Sequence, residues 1–196
     1  LIFTGHCAYS HNCQKFISGC GNCPDKELYP PIRFDNTSLA LKLKKTAYLN
    51  SNITFVAPSQ WMKSIAEMSV LKDVPVKCIP NGIDTSIFRP LDKNACRNLL
   101  GVCENKMILM FAADSVLNKI KGGENIISVL KAMPDTLKND LLLLTFGSGR
   151  LEQEHVGFDT LNLGYIESDL IKSIAYSASD LLLFISTADN LPLVIQ

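Results

Sequence analysis

The sequence predicts an α/β protein whose strands form parallel sheets buried on both faces. Short apolar runs bounded by Gly, Pro, Asn or Ser recur along the 196 residues, and most are followed by a segment with apolar residues at helical spacing. The runs are continuous rather than alternating, which is typical of strands covered on both faces. Strands joined in order by helices favour parallel pairing, because a crossover helix returns the chain to the end of the sheet at which the previous strand began.

Two helices and two short strands are expected in the first part of the chain. Residues 38–50 carry apolar residues at helical spacing, and residues 53–57 form a short β-branched run. Ser59 follows that run and can cap a second helix that carries Trp61. A second strand is expected over 74–80, ahead of an Asn-Gly pair that favours a sharp turn.

Three helices and four strands are expected in the second part. In chain order they are a helix over 92–100, a strand over 107–113, a helix over 124–133, strands over 141–146 and 161–163, a helix over 169–177 and a strand over 181–185. The stretch 80–90, rich in Pro, Gly and Asn, separates this series from the first. The sequence therefore predicts two partial lobes.

Composition excludes several classes of protein. The 19 basic and 19 acidic side chains cancel, so no nucleic-acid partner is indicated. No apolar run approaches the roughly 20 residues of a membrane-spanning helix. Four of the seven cysteines crowd into positions 7–23, a distribution that favours a reducing cytoplasm over a secreted disulfide scaffold.

Both ends of the sequence have the character of cut ends. The chain opens on Leu1 without the features of a secretory signal, and it stops inside the apolar run 191–196. We therefore expect a piece of a longer protein.

Polar or glycine-rich segments follow three of the expected strands, where ligands of parallel sheets bind. Lys119 and Lys121 precede a helix whose N-terminus favours an anion such as a pyrophosphate, although a solvated basic loop is the alternative. Gly147-Ser148-Gly149 would admit a ligand close to the backbone, or would simply make a tight turn. Asp189-Asn190-Leu191-Pro192 offers groups that hold sugar hydroxyls, or is an ordinary turn. No Gly-x-Gly-x-x-Gly follows a strand, which disfavours hydride transfer.

Four cysteines near the start have the character of a metal site. Cys7, Cys13, Cys20 and Cys23 are spaced Cys-x5-Cys-x6-Cys-x2-Cys on an irregular segment, which matches a closed tetrahedral zinc site of structural role. An iron–sulfur cluster and reduced cysteines without metal are the alternatives. His6 and His11 flank Cys7, and either could replace a thiolate as ligand.

Several short motifs, taken together, resemble family 4 of the retaining glycosyltransferases. They are Val56-Ala57-Pro58-Ser59-x-Trp61-Met62, Ile79-Pro80-Asn81-Gly82-Ile83-Asp84, Phe88-x-Pro90, Lys121-Gly122 and Tyr176-Ser177-Ala178-Ser179-Asp180. Three further segments are similar to the bacterial surface-polysaccharide branch of that family: Phe3-Thr4-Gly5-His6-Cys7, Gly19-Cys20-Gly21-x-Cys23-Pro24 and Asp189-Asn190-Leu191-Pro192. The resemblance covers essentially the whole chain.

The resemblance implies a GT-B fold of two Rossmann-like lobes, both incomplete in this chain. Residues 1–84 would be the C-terminal part of the acceptor-side lobe, with a Cys-rich insert at 7–24, and residues 85–196 the N-terminal part of the donor lobe. The implied activity is transfer of a hexosyl or other sugar, with retention, from a nucleotide-sugar to a glycan or lipid-linked acceptor in polysaccharide biosynthesis. No catalytic cofactor is implied. The location is cytoplasmic, with peripheral contact at the inner face of the membrane.

The resemblance also implies a donor site. Its candidate residues are Lys119, Lys121, Gly147, Ser148, Gly149, Tyr165, Ile166, Asp189, Asn190, Leu191 and Pro192. Lys121 matches the lysine of the family, whereas the usual arginine shortly before it is absent and Lys119 is the substitute. The family carries two glutamates in its donor site, and Asp189 occupies the position of the first. The position of the second falls after Gln196, and the family's first-lobe histidine would precede Leu1. The catalytic residues are therefore unassigned, and the isolated chain is expected to be inactive.

Two other functions stay open at the level of sequence. One is a nucleotide-sugar epimerase on the same fold, since a fold does not fix its chemistry. The other is a non-catalytic, metal-stabilised binding module in which residues 7–23 present a partner surface.

Overall fold

The computed structural model describes residues 1–9, 11–103 and 105–196. These residues form two compact units: Leu1–Gly82 with Ala188–Ile195, and Ile83–Thr187 with Gln196. The division falls close to the junction expected after residue 84. The segment Ala188–Ile195 groups with the first unit, whereas the sequence assigned it to the second lobe.

The first unit combines short helices with a small parallel sheet. Its elements are α1 (Lys15–Ser18), α2 (Thr37–Leu49), β1 (Phe55–Ala57), α3 (Gln60–Glu67) and β2 (Val76–Cys78), and β1 pairs with β2 in parallel. Its core consists of buried apolar side chains: Phe3, Phe16, Ala57, Met62, Ala66, Leu71 and Val74.

The start of α3 shows how local chemistry fixes an element. The Ser59 hydroxyl accepts a hydrogen bond from the Met62 N–H at 3.1 Å, which satisfies one of the donors that a helix start leaves free. The predicted cap is therefore confirmed. α1 was not expected, because four residues are too few to show a periodic pattern.

The second unit is a parallel sheet with flanking helices. In chain order its elements are α4 (Lys93–Leu99), β3 (Met107–Ser115), α5 (Gly123–Lys131), α6 (Asp135–Lys138), β4 (Leu141–Ser148), α7 (Gln153–Val156), β5 (Asp159–Asn162), α8 (Asp169–Ala178) and β6 (Leu181–Leu182). The strands are ordered β5-β4-β3-β6, and every pair is parallel. A short 3-10 helix, Leu193–Ile195, lies near the end of the chain.

The two central strands carry the core of the second unit. Successive residues Leu143 and Leu144 are both fully buried, as is Ile108 on β3. Side chains that alternate between the two faces of a strand can all be buried only when both faces are covered. The predicted α/β class with parallel sheets is thus confirmed.

Several strands end at other places than the sequence predicts, and β4 and β6 show why. β4 runs on to Ser148 because the Val116 N–H donates to the Ser148 carbonyl at 2.9 Å, beyond a register shift in β3. β6 comprises only Leu181–Leu182, although the Leu183 N–H still donates to the Met110 carbonyl. β6 pairs with β3 alone, so its length depends on a single neighbour.

None of the helices in the described ranges has the length and apolar character needed to cross a membrane.

Candidate functional site

The carboxyl ends of the strands in the second unit bring several loops together. The Val116 N–H joins the loop after β3 to Ser148, and the Gly147 N–H donates to the Gly164 carbonyl at 2.8 Å. The segments after β3, β4 and β5 therefore meet at the carboxyl end of the sheet. This is the end at which open parallel sheets bind ligands.

The loop that carries the two candidate lysines is also fixed to the segment after β6. The Ile120 carbonyl accepts from the Thr187 N–H at 2.8 Å and from the Thr187 hydroxyl at 3.2 Å. The Ile120 N–H donates to the Asn118 side-chain oxygen at 2.9 Å. Sequence reasoning missed Asn118 and Thr187, because their partners are defined only once the loops meet.

Two glycines between Lys121 and α5 allow the close packing of this loop. Gly122 has a φ of +90°, and a Cβ there would lie 2.6 Å from the Ile185 carbonyl oxygen. A Cβ on Gly123 would lie 2.3 Å from the Val116 carbonyl oxygen. The Lys-Gly motif therefore has a physical basis, since neither glycine can carry a side chain while the loop stays in place.

The two lysines differ in their surroundings. The Lys119 ammonium pairs with the Glu124 carboxylate at 3.1 Å, and their side chains are 80% and 67% exposed. Such exposed pairs contribute little to stability, and this one partly neutralises the Lys119 charge. Lys121 is half-buried at the start of α5, so it is the stronger candidate for an anion contact.

The glycine-rich segment at the end of β4 packs against the end of β3. Gly147 lies within β4 rather than in a separate turn, and its missing side chain leaves room for the Ala113 carbonyl. The Ser148 hydroxyl donates to the Asp114 carbonyl at 2.8 Å. Gly149 has a φ of +82° and lies beside Leu117. Close backbone packing alone therefore explains Gly147, whatever binds at this end of the sheet.

The remaining candidates occupy different surroundings. Tyr165 is 71% exposed just beyond Gly164, whereas Ile166 is buried, so only its backbone is available to a ligand. Asp189 to Pro192 are half-buried within the segment grouped with the first unit, where the Asn190 N–H donates to the Asp189 carboxylate at 2.8 Å. The structure thus brings together the candidates from Lys119 to Ile166 within the second unit, and the roles of all of them stay predictions.

A cavity of about 480 Å³ lies at the opposite end of the second sheet. Its lining includes Leu100, Lys106 and Asp159, beside the amino ends of β3 and β5. The Lys106 ammonium and the Asp159 carboxylate are paired at 3.1 Å. Because ligands of open parallel sheets bind beyond the carboxyl ends, we do not assign the donor to this cavity despite its size.

The four early cysteines form a second candidate site, in the first unit. Cys7, Cys13, Cys20 and Cys23 line one small cavity together with His6. Within residues 1–9, 11–103 and 105–196, no three or more His, Cys, Asp or Glu side chains are already arranged to hold a metal ion. The zinc site therefore stays a prediction.

Comparison with known protein sequences finds a bacterial relative of the chain. The chain is 27% identical over 197 residues to the putative colanic acid biosynthesis glycosyl transferase WcaC of Escherichia coli (strain K12), covering 98% of this chain and 45% of that protein. No protein-family model matches the sequence.

Three solved structures give the architecture. Sucrose-phosphate synthase from Thermosynechococcus elongatus superposes with a TM-score of 0.66 at 20% identity, over 83% of this chain and 41% of that one. HepE from Anabaena, solved with UDP-glucose, gives 0.59 at 20% identity over 83% and 46%. WaaG, a glycosyltransferase involved in lipopolysaccharide biosynthesis, gives 0.58 at 16% identity over 77% and 43%.

The chain has part of the GT-B fold. This confirms the fold that the motifs implied, whereas membership of the retaining family 4 stays a prediction. The chain spans less than half the length of each of these relatives.

Proposed function

We propose that this chain is part of a glycosyltransferase of polysaccharide biosynthesis, and that its second unit binds a nucleotide-sugar donor. The observation that carries the proposal is the loop from Lys119 to Gly123. This loop lies at the carboxyl end of a parallel sheet and leads into the N-terminus of α5. Its two glycines lack side chains, which lets the loop pack closely against the neighbouring backbone. The similarity to WcaC and to HepE, which was solved with UDP-glucose, supports the same activity.

The chemistry of the leaving group explains the residues at this loop. When the bond between the sugar and the nucleotide breaks, the diphosphate gains negative charge. The Lys121 ammonium and the positive end of the α5 helix dipole would stabilise that charge from fixed positions. The proposed reaction proceeds with retention, and the departing diphosphate takes the proton of the acceptor hydroxyl. No catalytic metal takes part in this scheme.

The remaining donor contacts are assigned by chemistry as well. The Asp189 carboxylate and the Asn190 amide would hold sugar hydroxyls, because both groups form several hydrogen bonds with hydroxyl groups. The acceptor is a glycan or a lipid-linked sugar, so we place the protein in the cytoplasm with peripheral contact at the inner face of the membrane.

Replacing Lys121 by alanine in the full-length protein should lower kcat/KM by about ten- to a hundredfold. A charge-assisted hydrogen bond contributes roughly 1.5–3 kcal/mol, which corresponds to that factor in rate. The measurement is the release of nucleoside diphosphate from a panel of nucleotide-sugars in the presence of acceptor.

Lys119→Ala is the matched control for Lys121→Ala. It removes an equal charge from the same loop, but the Lys119 side chain is 80% exposed, so we expect less than about a threefold effect. An unchanged kcat/KM in Lys121→Ala would exclude Lys121 from the donor site. An epimerised donor without transfer would indicate the epimerase instead.

Retention and donor binding are tested separately. The anomeric configuration of the product, read by NMR, should match that of the donor, and an inverted product would contradict the retaining mechanism. A nucleotide-sugar present at a hundred times its Kd should stabilise the full-length protein by about 2.7 kcal/mol. If no nucleotide-sugar raises the Tm, the non-catalytic binding module becomes the better explanation.

A further inference from the structure

The cysteine-rich segment of the first unit has little regular structure of its own. Among its described residues, the stretch before α2 contains only the four-residue helix α1. Two of its aromatic side chains, Phe3 and Phe16, enter the core and pack against each other with ring centroids 5.5 Å apart. A segment that buries so few apolar side chains needs another source of order.

The four cysteines of this segment lie around one cavity. Cys7, Cys13, Cys20 and Cys23 all line it, although they are well separated along the segment. All four are half-exposed, whereas Cys96 of the second unit is buried like an ordinary core residue. Apolar packing therefore does not explain the cluster.

The backbone around Cys20 adopts an unusual conformation to bring the last two thiols to the cavity. Four consecutive residues have positive φ: Gly19 at +119°, Cys20 at +58°, Gly21 at +88° and Asn22 at +47°. This conformation is uncommon for residues other than glycine and persists only where the surroundings enforce it. It turns the chain tightly enough for Cys20 and Cys23 to line the same cavity.

Hydrogen bonds hold this turn against the start of α2. The Cys23 N–H donates to one oxygen of the Asp35 carboxylate at 2.7 Å, and the Gly21 N–H donates to the Thr37 hydroxyl at 3.0 Å. The Thr37 hydroxyl in turn donates to the other Asp35 oxygen at 2.7 Å, and Thr37 is buried. The cavity is therefore built on a fixed frame.

His6 lies beside the cluster. Its Nδ1 lies 3.1 Å from the Pro30 carbonyl, and its Nε2 lies 3.2 Å from the Cys23 sulfur. The Lys15 ammonium also lines the cavity and donates to the Asn22 carbonyl.

We propose that Cys7, Cys13, Cys20 and Cys23 bind one structural zinc ion as thiolates. On binding, four S–H bonds break, four zinc–sulfur bonds form and four protons leave to solvent. The site then carries two negative charges, and a cationic side chain, Lys15, also lines the cavity.

The first test measures metal content and ligand type in the full-length protein. We expect one zinc per chain by elemental analysis. After exchange for Co²⁺, we expect the intense visible bands of a tetrahedral site together with thiolate-to-cobalt charge transfer. A protein that binds neither ion, or one that holds iron with sulfide, would overturn the proposal.

Substitutions identify the ligands. Cys20→Ser and Cys23→Ser should each lower zinc affinity more than a hundredfold, whereas Cys103→Ser and Cys78→Ser, which change cysteines outside the segment, should leave it unchanged. Equal zinc content in all these variants would contradict the assignment.

Removal of zinc from the unaltered protein covers the case in which a cysteine variant fails to fold. A chelator should expose the segment before α2 to protease and to amide exchange, while exchange at β3 and β4 stays unchanged. If zinc leaves and the protection of this segment does not change, the structural role is wrong. Since this test does not use the nucleotide-sugar, its outcome is independent of the proposed enzyme activity.

Discussion

Gly147→Ala should destabilise the second unit by about 3 kcal/mol or more, which is among the largest effects we expect for a single methyl group. A Cβ at this position would lie 1.9 Å from the Ala113 carbonyl oxygen, well inside the contact distance. The φ of +134° is also strained for any residue with a side chain. The disfavoured backbone costs about 1–3 kcal/mol and the overlap about 1–3 kcal/mol more.

Gly101→Ala separates the two contributions. Gly101 ends α4 with a φ of +67°, but a Cβ there would meet no atom within 4 Å. It should therefore cost only the backbone term, about 1 kcal/mol. Amide exchange at β3 and β4 under increasing urea reports the second unit. Fluorescence of Trp61, the only tryptophan, reports the first unit and should not change.

Equal costs for Gly147→Ala and Gly101→Ala would show that β4 does not approach Ala113 as closely as described. The glycine-rich segment would then be free for a ligand rather than committed to packing. The comparison therefore also tests how the donor end of the sheet is built.

Asp180→Ala should destabilise the second unit by about 3–5 kcal/mol. The Asp180 carboxylate accepts from the Arg97 guanidinium at 2.6 Å and from the Ile108 N–H at 2.7 Å, and it pairs with the Lys93 ammonium. Arg97 is buried, and its Nε donates to the Ala178 carbonyl at 3.0 Å. Removing the carboxylate takes one acceptor from the buried Arg97 guanidinium and the acceptor of the Ile108 N–H, and breaking such a pair is costly.

Asp159→Ala is the control for Asp180→Ala. The Asp159 side chain is 55% exposed and pairs with Lys106 at 3.1 Å, so its loss should cost no more than about 1 kcal/mol. Urea unfolding followed by far-UV circular dichroism measures both variants. If the two cost the same, the buried Arg97 pair does not stabilise the unit.

The same carboxylate predicts how stability depends on pH. Burial raises the pKa of Asp180, but the hydrogen bonds from Lys93 and Ile108 and the charge of Arg97 outweigh it, so the pKa lies below its ordinary value. The stabilisation is therefore present above the unfolded pKa, about 3.9, and is lost as the pH falls through the lower folded value. Asp180→Asn should flatten this acid-side loss. An unaltered profile would contradict the shift.

The motifs that carried the family resemblance prove to be structural in large part. Tyr176 packs against Phe88 and Phe146 at centroid distances of 6.4 and 6.0 Å, and burial raises its pKa to about 12. The Ser177 hydroxyl accepts from the Leu91 N–H at 3.2 Å. The Phe88-x-Pro90 motif and the motif from Tyr176 to Asp180, which lie far apart in the sequence, therefore contact each other in the second unit.

Features that depend on near neighbours were determined by the sequence alone. The caps Ser59 and Asp92 bond to N–H groups three residues ahead, and the apolar runs of β3 and β4 need only their own composition to indicate burial. The Lys121-Gly122 motif was found in the same way. Each of these features depends on residues that are close in the sequence, so a sequence pattern can predict it.

Other features were decided only by the tertiary structure. Asn118 fixes the lysine loop locally, but the Thr187 anchor comes from beyond β6; Gly147 is required by the Ala113 carbonyl, and Asp180 by the buried Arg97. In these cases the partner lies tens of residues away and becomes a neighbour only when the strands pair. Hydrogen bonds and close contacts act over a few ångströms, so their energies depend on distance in space, which a linear sequence does not state.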